Sequence, residues 1–291
     1  MPTSGSQGPV TEQVSFAEAT AVAPAGPDRW SACIPPSWNV PVGIHGGVLM
    51  ATTLRAARAR LDDPSLPMRT AHGSFFARPS TNALTIATDE LRRGRTTAHV
   101  AADASAEGAD EVALSTRSLF TRIRSDESHL DVAQPDVPAP DACPGDGMGD
   151  DEGPLARPPL FAQFEVRRAF GTYPWADDWA PRLPMRYARW SRFAVTPALD
   201  DGTIDPLALL PLADLPGPAV WTHYGPEEPF RLLVSLELTF HVLEPVTDEW
   251  ILADFSARWL GQGYTLTQCD LWSGGRLVAH SIQSMLLRTV D

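Results

Sequence analysis

The chain has 291 residues, of which 43% are hydrophobic and 20% are charged, so it can bury the core of one large domain or of two ordinary ones. All 23 basic residues are arginine, because the sequence contains no lysine. Arginine forms no Schiff base and does not replace the lysine of a P-loop, which excludes pyridoxal-phosphate enzymes, Schiff-base aldolases, P-loop nucleotide hydrolases and protein kinases.

The net charge of −13 is concentrated in one segment. Residues 126–152 contain nine Asp or Glu and no Arg or Lys, so they carry −9 and the rest of the chain carries −4. The rest lacks the basic surface of a nucleic-acid-binding protein, and we expect no nucleic-acid partner. The three cysteines are few and far apart, which favours a reducing, cytoplasmic location over a disulfide framework.

In chain order, residues 1–13 are predicted to be a flexible tail, since they lack the basic region and apolar run of a signal peptide. No later stretch approaches the roughly 18 consecutive apolar residues of a membrane helix, so we expect no membrane span.

A first structural half is predicted over residues 14–125. It contains WNVPVGIHGGVLMATTL, in which His45, Gly46 and Gly47 precede a helix predicted over 47–61. Glycine is a poor helix former, so its use here needs a reason. One interpretation is a tight turn that packs the helix against a sheet. The other is that unpaired N–H groups at the helix start face a negatively charged group.

Residues 126–159 are rich in Pro, Asp and Gly and are predicted to be a linker, because such a segment buries too little surface to offset its ordering entropy. A second half follows over 160–291, with a helix predicted over 205–215 that Asp205 caps. In both halves the helix precedes strand-like segments that alternate apolar and polar residues around Gly-rich turns. This shared order predicts an internal duplication.

Four segments together resemble the TesB-like (type II) acyl-CoA thioesterases: GIHGGVLMATTLRAA, VSLELTFHVLEP, DEWILADFSARW and GGRLVAHSIQSMLLR. The resemblance implies an α+β double hotdog fold, in which antiparallel sheets wrap two central helices and pair edge to edge. It also implies hydrolysis of fatty acyl-CoA to free acid and CoA, in lipid metabolism, with no metal or cofactor.

The resemblance further implies that an Asp, a Thr or Ser, and a Gln hold the attacking water. Carried onto this sequence, the Asp position falls on Glu237 and the Gln position on Gln283, while the hydroxyl position falls on Ala257 or Arg258, which have no hydroxyl. Thr265 and Thr267 follow the GQG turn on the same predicted strand as that position and could substitute for it.

The residue types support the same chemistry. Glu237 is the single carboxylate of the apolar run LLVSLELTFHV, where burial would suit a general base. The alternative is that Glu237 faces solvent on an alternating strand. Gln283 can donate to and accept from one water, or be satisfied by backbone. The amides of Gly46 and Gly47 are predicted to hold the thioester carbonyl oxygen.

Four residues are predicted to bind substrate. Asn39 and His45 resemble the N…HGG stretch of the PaaI-like thioesterases, although no carboxylate follows on the helix, and a loop role for Asn39 is the alternative. Arg92 and Arg95 would contact CoA phosphates, unless they belong to a solvated turn.

The missing hydroxyl at Ala257 or Arg258 favours an alternative function, a non-catalytic protein that binds acyl-CoA or lipid on the same scaffold. A hydratase acting on enoyl-CoA is less favoured, because no Asp and His pair lies on one helix-and-loop segment. Edge strands of a double hotdog sheet lead us to expect a homo-oligomer.

Overall fold

A computed structural model describes residues 13–124, 127–145, 158–177, 179–180, 184–225 and 227–289. The helices of these ranges are α1 (Phe16–Ala19), α2 (Gly46–Leu61), α3 (Leu209–Ala213) and α4 (Gly217–Trp221). None of them is long and apolar enough to cross a membrane. The three cysteines are free thiols, as the sequence predicts.

Twelve of the fourteen described strands form one antiparallel sheet, and β3 and β4 form a separate hairpin. The strands of the first half are β1 (Val22–Gly26), β2 (Arg29–Cys33), β3 (Asn39–Val40), β4 (Gly43–Ile44), β5 (Met68–Phe75), β6 (Ala83–Arg93), β7 (Thr97–Ala106) and β8 (Val112–Thr121). Those of the second half are β9 (Phe164–Phe170), β10 (Arg186–Phe193), β11 (Arg231–Val242), β12 (Ile251–Gly261), β13 (Tyr264–Ser273) and β14 (Arg276–Thr289).

The two halves join edge to edge. The strand order is β1-β2-β6-β7-β8-β5-β11-β14-β13-β12-β10-β9, so six strands of each half meet where β5 pairs with β11. Thr239 stands opposite His72 at this junction. The expected α+β double hotdog architecture is confirmed, including the continuous sheet.

Small side chains let the sheet close around α2. The inner face of β7 consists of four alanines and one valine, all buried: Ala98, Val100, Ala102, Ala104 and Ala106. The helix is buried on most of its circumference, and the buried hydroxyls of Thr52 and Thr53 bond to the carbonyls of Val48 and Leu49 within the helix.

The second central helix is short and interrupted. The Asp205 side chain caps its start, accepting from the Leu207 N–H at 3.0 Å, as predicted. A 3₁₀ turn (Pro206–Ala208) then leads into α3, which ends at Asp214. Leu215 precedes Pro216, and a residue before proline disfavours helical geometry, so the chain breaks here before α4 begins.

Part of the predicted linker is packed against the second half. The structure describes residues 127–145 and 158–159 of it, whereas 126 and 146–157 lie outside the described residues. The Trp190 indole donates to the Pro138 carbonyl at 2.9 Å, Cys143 is buried, and the Arg168 N–H donates to the Pro144 carbonyl at 2.9 Å. Composition alone missed these contacts, because indole burial and edge-strand pairing offset the ordering entropy.

Candidate active site

The start of α2 and the end of α3 meet at one carboxylate. The Gly47 N–H donates to Asp214 Oδ2 at 2.6 Å, and the Asp214 residue is only 6% exposed. The N-terminus of α2 therefore does face a negatively charged group, and that group is a side chain of the second half. The helix dipole stabilises negative charge at this position.

Both residues at the start of α2 need to be glycine for this contact. A Cβ at Gly46 would lie 2.6 Å from Asp214 Oδ2, and a Cβ at Gly47 would lie 2.6 Å from the Leu210 carbonyl oxygen. The Leu210 carbonyl is backbone and cannot move away from a Cβ at Gly47, whereas a Cβ at Gly46 would displace the Asp214 carboxylate. The two glycines thus serve the close approach of α2 and α3 as well as the binding of an anion.

Ser235 and Gln283 complete a cluster around Asp214. The Gln283 amide Nε2 donates to Asp214 Oδ1 and, at 2.8 Å, to the Ser235 hydroxyl. The Ser235 hydroxyl donates to Asp214 Oδ1 at 3.2 Å. The opposite amide orientation would place Oε1 against the carboxylate, so the NH₂ group faces Asp214. Within the described part of the chain, the buried Gln283 Oε1 has no hydrogen-bond partner.

A β-bulge determines which side chains of β11 reach this cluster. Ser235 pairs with Met285 and Glu237 with Ser284, so the register with β14 shifts between Ser235 and Glu237. In a regular strand, Ser235 and Glu237 would share a face. With the bulge, Ser235 and Gln283 point to the inner face and Glu237 points outward, where it is exposed.

The structure therefore changes which residues supply the carboxylate and the hydroxyl of the site. Glu237 and Gln283 lie on opposite faces of the sheet, and Asp214 and Ser235 are the carboxylate and hydroxyl beside Gln283. Asp214 stands alone in the apolar run PLALLPLADLPGPAV. The criterion applied to Glu237, a single carboxylate in an apolar run, would have identified it.

The hydroxyls considered as substitutes have other partners. Thr265 donates to the Trp259 carbonyl at 2.8 Å, and Thr267 donates to the Gln283 backbone carbonyl at 3.3 Å. Ala257 lies on β12, two strands away from β14. The lack of a hydroxyl at Ala257 or Arg258 therefore does not leave the Asp214 cluster without one, because Ser235 supplies it.

His45 holds the backbone of Asp214. Its Nε2 lies 3.0 Å from the Asp214 carbonyl oxygen and 3.7 Å from Asp214 Oδ2, and the residue is 3% exposed. A carbonyl only accepts, so Nε2 carries the proton. Burial lowers the pKa of His45 below its ordinary value, against the opposing effect of the Asp214 charge, so the neutral imidazole is favoured.

The side chain of Asn39 is paired with that of Asn82. The Asn82 amide donates to Asn39 Oδ1 at 3.1 Å and to the Ile34 carbonyl at 2.7 Å. This pair fixes the short hairpin of β3 and β4, which leads into His45. These contacts support the loop role that the sequence left open for Asn39.

Arg92 and Arg95 lie at the far end of α2. They flank the turn between β6 and β7, where Arg93 donates to the carbonyl of Leu61, the last residue of the helix. At 1.5 Å per residue, α2 separates Leu61 from Gly46 by about 22 Å. The structure does not bring these arginines to the Asp214 cluster. Among the residues it describes, no group of three or more His, Cys, Asp or Glu side chains could hold a metal ion.

Two family models match this sequence. The acyl-CoA thioesterase N-terminal domain matches residues 34–121, and the acyl-CoA thioesterase C-terminal domain matches residues 140–287. The second match includes Asp214, Ser235 and Gln283, and the first includes the start of α2. A search of curated proteins finds no match.

Solved structures share the fold at low identity. A hot dog fold protein of unknown function from Alicyclobacillus acidocaldarius is 22% identical, with TM-score 0.77, covering 95% of this chain and 98% of that one. The acyl-CoA thioesterase II TesB2 from Mycobacterium marinum is 24% identical, with TM-score 0.73 and coverage of 95% and 99%. A protein described as a thioesterase II from Thermobifida fusca is 23% identical, with TM-score 0.73 and coverage of 94% and 97%.

Proposed function

The chain belongs to the acyl-CoA thioesterase family, and from this premise we propose that it hydrolyses fatty acyl-CoA to free acid and CoA through a water held by Asp214 and Gln283, with Ser235 bonded to the carboxylate. The family confirms the expected class of enzyme, a thioester hydrolase. The observation that carries the proposal is the convergence of a carboxylate, a hydroxyl and an amide at the start of α2.

The hydrogen bonds of the cluster leave two acceptor positions unfilled. A carboxylate offers about four acceptor positions, and three at Asp214 are filled by Gly47, Ser235 and Gln283. The position left open is on Oδ2. Gln283 Oε1 is a second acceptor without a partner among the described residues. A water donates two hydrogens, so these two acceptors match the donors of a single water.

In the proposed reaction, the water oxygen attacks the thioester carbonyl carbon while Asp214 takes a proton from it. The tetrahedral intermediate then collapses, the C–S bond breaks, and the departing CoA sulfur receives the proton from Asp214. General-base assistance of this kind contributes roughly 10²–10⁴-fold in rate. Ser235 and Gln283 hold the carboxylate in place throughout.

The oxyanion of the intermediate needs a donor at the start of α2. The Gly47 N–H is already bonded to Asp214. Of the two amides predicted to hold the carbonyl oxygen, only that of Gly46 therefore remains available. Among the described residues, the Gly46 N–H makes no backbone hydrogen bond, and we assign the oxyanion to it. One preorganised donor of this kind is worth about 3 kcal/mol.

The non-catalytic alternative loses its main support. That alternative was favoured by the lack of a hydroxyl at Ala257 or Arg258, whereas Ser235 supplies a hydroxyl to the cluster. The cytoplasmic location and the homo-oligomer stay predictions. The free sheet edges are β1 and β9, and Gly145 already bridges to Arg167 on β9, which leaves β1 as the more open edge for self-association.

The test is release of free thiol from a chain-length series of acyl-CoAs by the purified protein, with Asp214→Asn as a nearly isosteric control. We expect release from the wild type that is maximal at one range of acyl lengths and falls by at least about 100-fold in Asp214→Asn. Tight binding of acyl-CoA to the wild type without thiol release would reject hydrolysis and restore the binding-protein alternative.

A further inference from the structure

We propose that His45 is a positioning residue, which in its neutral form ties the second-half loop at Asp214 to the first half and so fixes the place of the reactive carboxylate. This inference rests on the proposed function. It assigns to His45 a role other than the substrate contact that the sequence predicts.

Two neighbouring residues of the first half hold Asp214 at both its backbone and its side chain. His45 contacts the carbonyl oxygen at 3.0 Å, and the Gly47 N–H contacts Oδ2 at 2.6 Å, across 169 and 167 residues of sequence. Asp214 ends α3 with φ −90° and ψ 44°, so its carbonyl continues no helix and needs an outside donor. His45 supplies that donor.

Only one protonation state of His45 fits these contacts. Nε2 must carry a proton to donate to the carbonyl, and the neutral ring then leaves Nδ1 as an acceptor. Nδ1 is buried and has no partner in the part of the chain that the structure describes. The lone pair of Nδ1 is therefore available to a donor that arrives with water or substrate.

A second proton on His45 would disturb the carboxylate. Burial is the largest influence on the pKa of His45 and lowers it, the Asp214 charge raises it, and the Arg189 charge lowers it. A charged imidazolium would attract Asp214 Oδ2, which is 3.7 Å from Nε2, away from the Gly47 N–H. The same proton would leave a buried Nδ1–H without an acceptor.

The test compares His45→Gln, whose amide can reach the Nε2 position, with His45→Phe, which fills the space without a donor. We expect His45→Phe to lower kcat for thiol release by on the order of 100-fold, with KM within a few-fold, because the carboxylate moves by about 1 Å. His45→Gln is expected to keep kcat within about tenfold and to lose the part of the acid-side decline in rate that protonation of His45 causes, which we expect in the wild type at a pH below the ordinary imidazole pKa.

Thermal unfolding of each variant separates positioning from folding. If His45→Phe does not fold, His45→Asn is used in its place, because the shorter Asn amide cannot reach the Asp214 carbonyl. The Gln and Asn variants are then compared. A folded Phe or Asn variant with wild-type kcat would overturn the inference, and so would a folded Gln variant as slow as either. Absence of hydrolysis in the wild type would instead reject the proposed function.

Discussion

The two halves have matching sheets but different central helices. The first half encloses α2, an uninterrupted helix of 16 residues, whereas the second half has two five-residue helices, α3 and α4, separated at Asp214–Pro216. Each half contributes six strands to the common sheet. The predicted duplication is therefore visible in the strands and lost in the helices.

The interruption of the second helix is what creates the site. Because α3 ends at Asp214, the carboxylate and the carbonyl of this residue turn toward Gly47 and His45 at the start of α2. A continuous helix would bond the carbonyl internally and leave no donor position for His45 to fill. The comparison shows that one half supplies donors and the other supplies the carboxylate, so neither half holds the site alone.

The largest expected effect is a loss of kcat from a substitution in the second half, at Gln283. Gln283→Ala removes the donor to Asp214 and the unpaired acceptor for water, and we expect kcat to fall by about 100- to 1000-fold. Thiol-release kinetics measure it, with Ser284→Ala as the control, since Ser284 pairs with the outward Glu237. Equal losses in both variants would show that the effect is structural.

The contact between the helices is broken by Gly47→Ala. The new Cβ would lie 2.6 Å from the Leu210 carbonyl oxygen and 2.8 Å from Pro211 Cα, which are backbone atoms that cannot rotate away. We expect a loss of about 1–3 kcal/mol in the free energy of unfolding. Denaturant unfolding measures this change. A Cβ at Gly145 meets nothing within 4 Å, so Gly145→Ala should leave stability nearly unchanged.

Acid should weaken the contact through His45. Its pKa is lowered from 6.5 by burial in the folded protein, so the unfolded chain binds more protons as the pH falls below 6.5. The contribution of neutral His45 to stability is thus fully present above pH 6.5 and is lost as the pH falls toward the folded pKa. Unfolding free energies measured from pH 8 to 5 should decline less in His45→Gln than in the wild type. Parallel curves would remove His45 as the cause.

The smallest effect is expected at the other end of α2. Arg92→Ala and Arg95→Ala should leave both KM and kcat for acyl-CoA within about twofold, because they lie at the turn beside Leu61, which α2 separates from Gly46 by about 22 Å. A rise in KM of tenfold or more in either variant would return these arginines to the CoA-binding site, as the sequence predicted.

The fold could be predicted from the sequence because its signals are local. Helix α2 was predicted over 47–61 and spans Gly46–Leu61, and the strands follow from alternation and glycine turns. The site could not be predicted in full, because it depends on two irregular features. A bulge places Ser235 and Glu237 on opposite faces of the sheet, and a helix break places Asp214 beside Gly47. Neither irregularity changes the hydrophobic period from which elements are predicted.

The most direct test of the account compares Asp214→Asn with Glu237→Gln in the same thiol-release assay. Both changes replace a carboxylate by its amide, one at the buried cluster and the other on the exposed face of β11. We predict that Asp214→Asn lowers kcat by at least about 100-fold and that Glu237→Gln leaves it within about twofold. Loss of activity in Glu237→Gln with full activity in Asp214→Asn would contradict the assignment of the catalytic carboxylate.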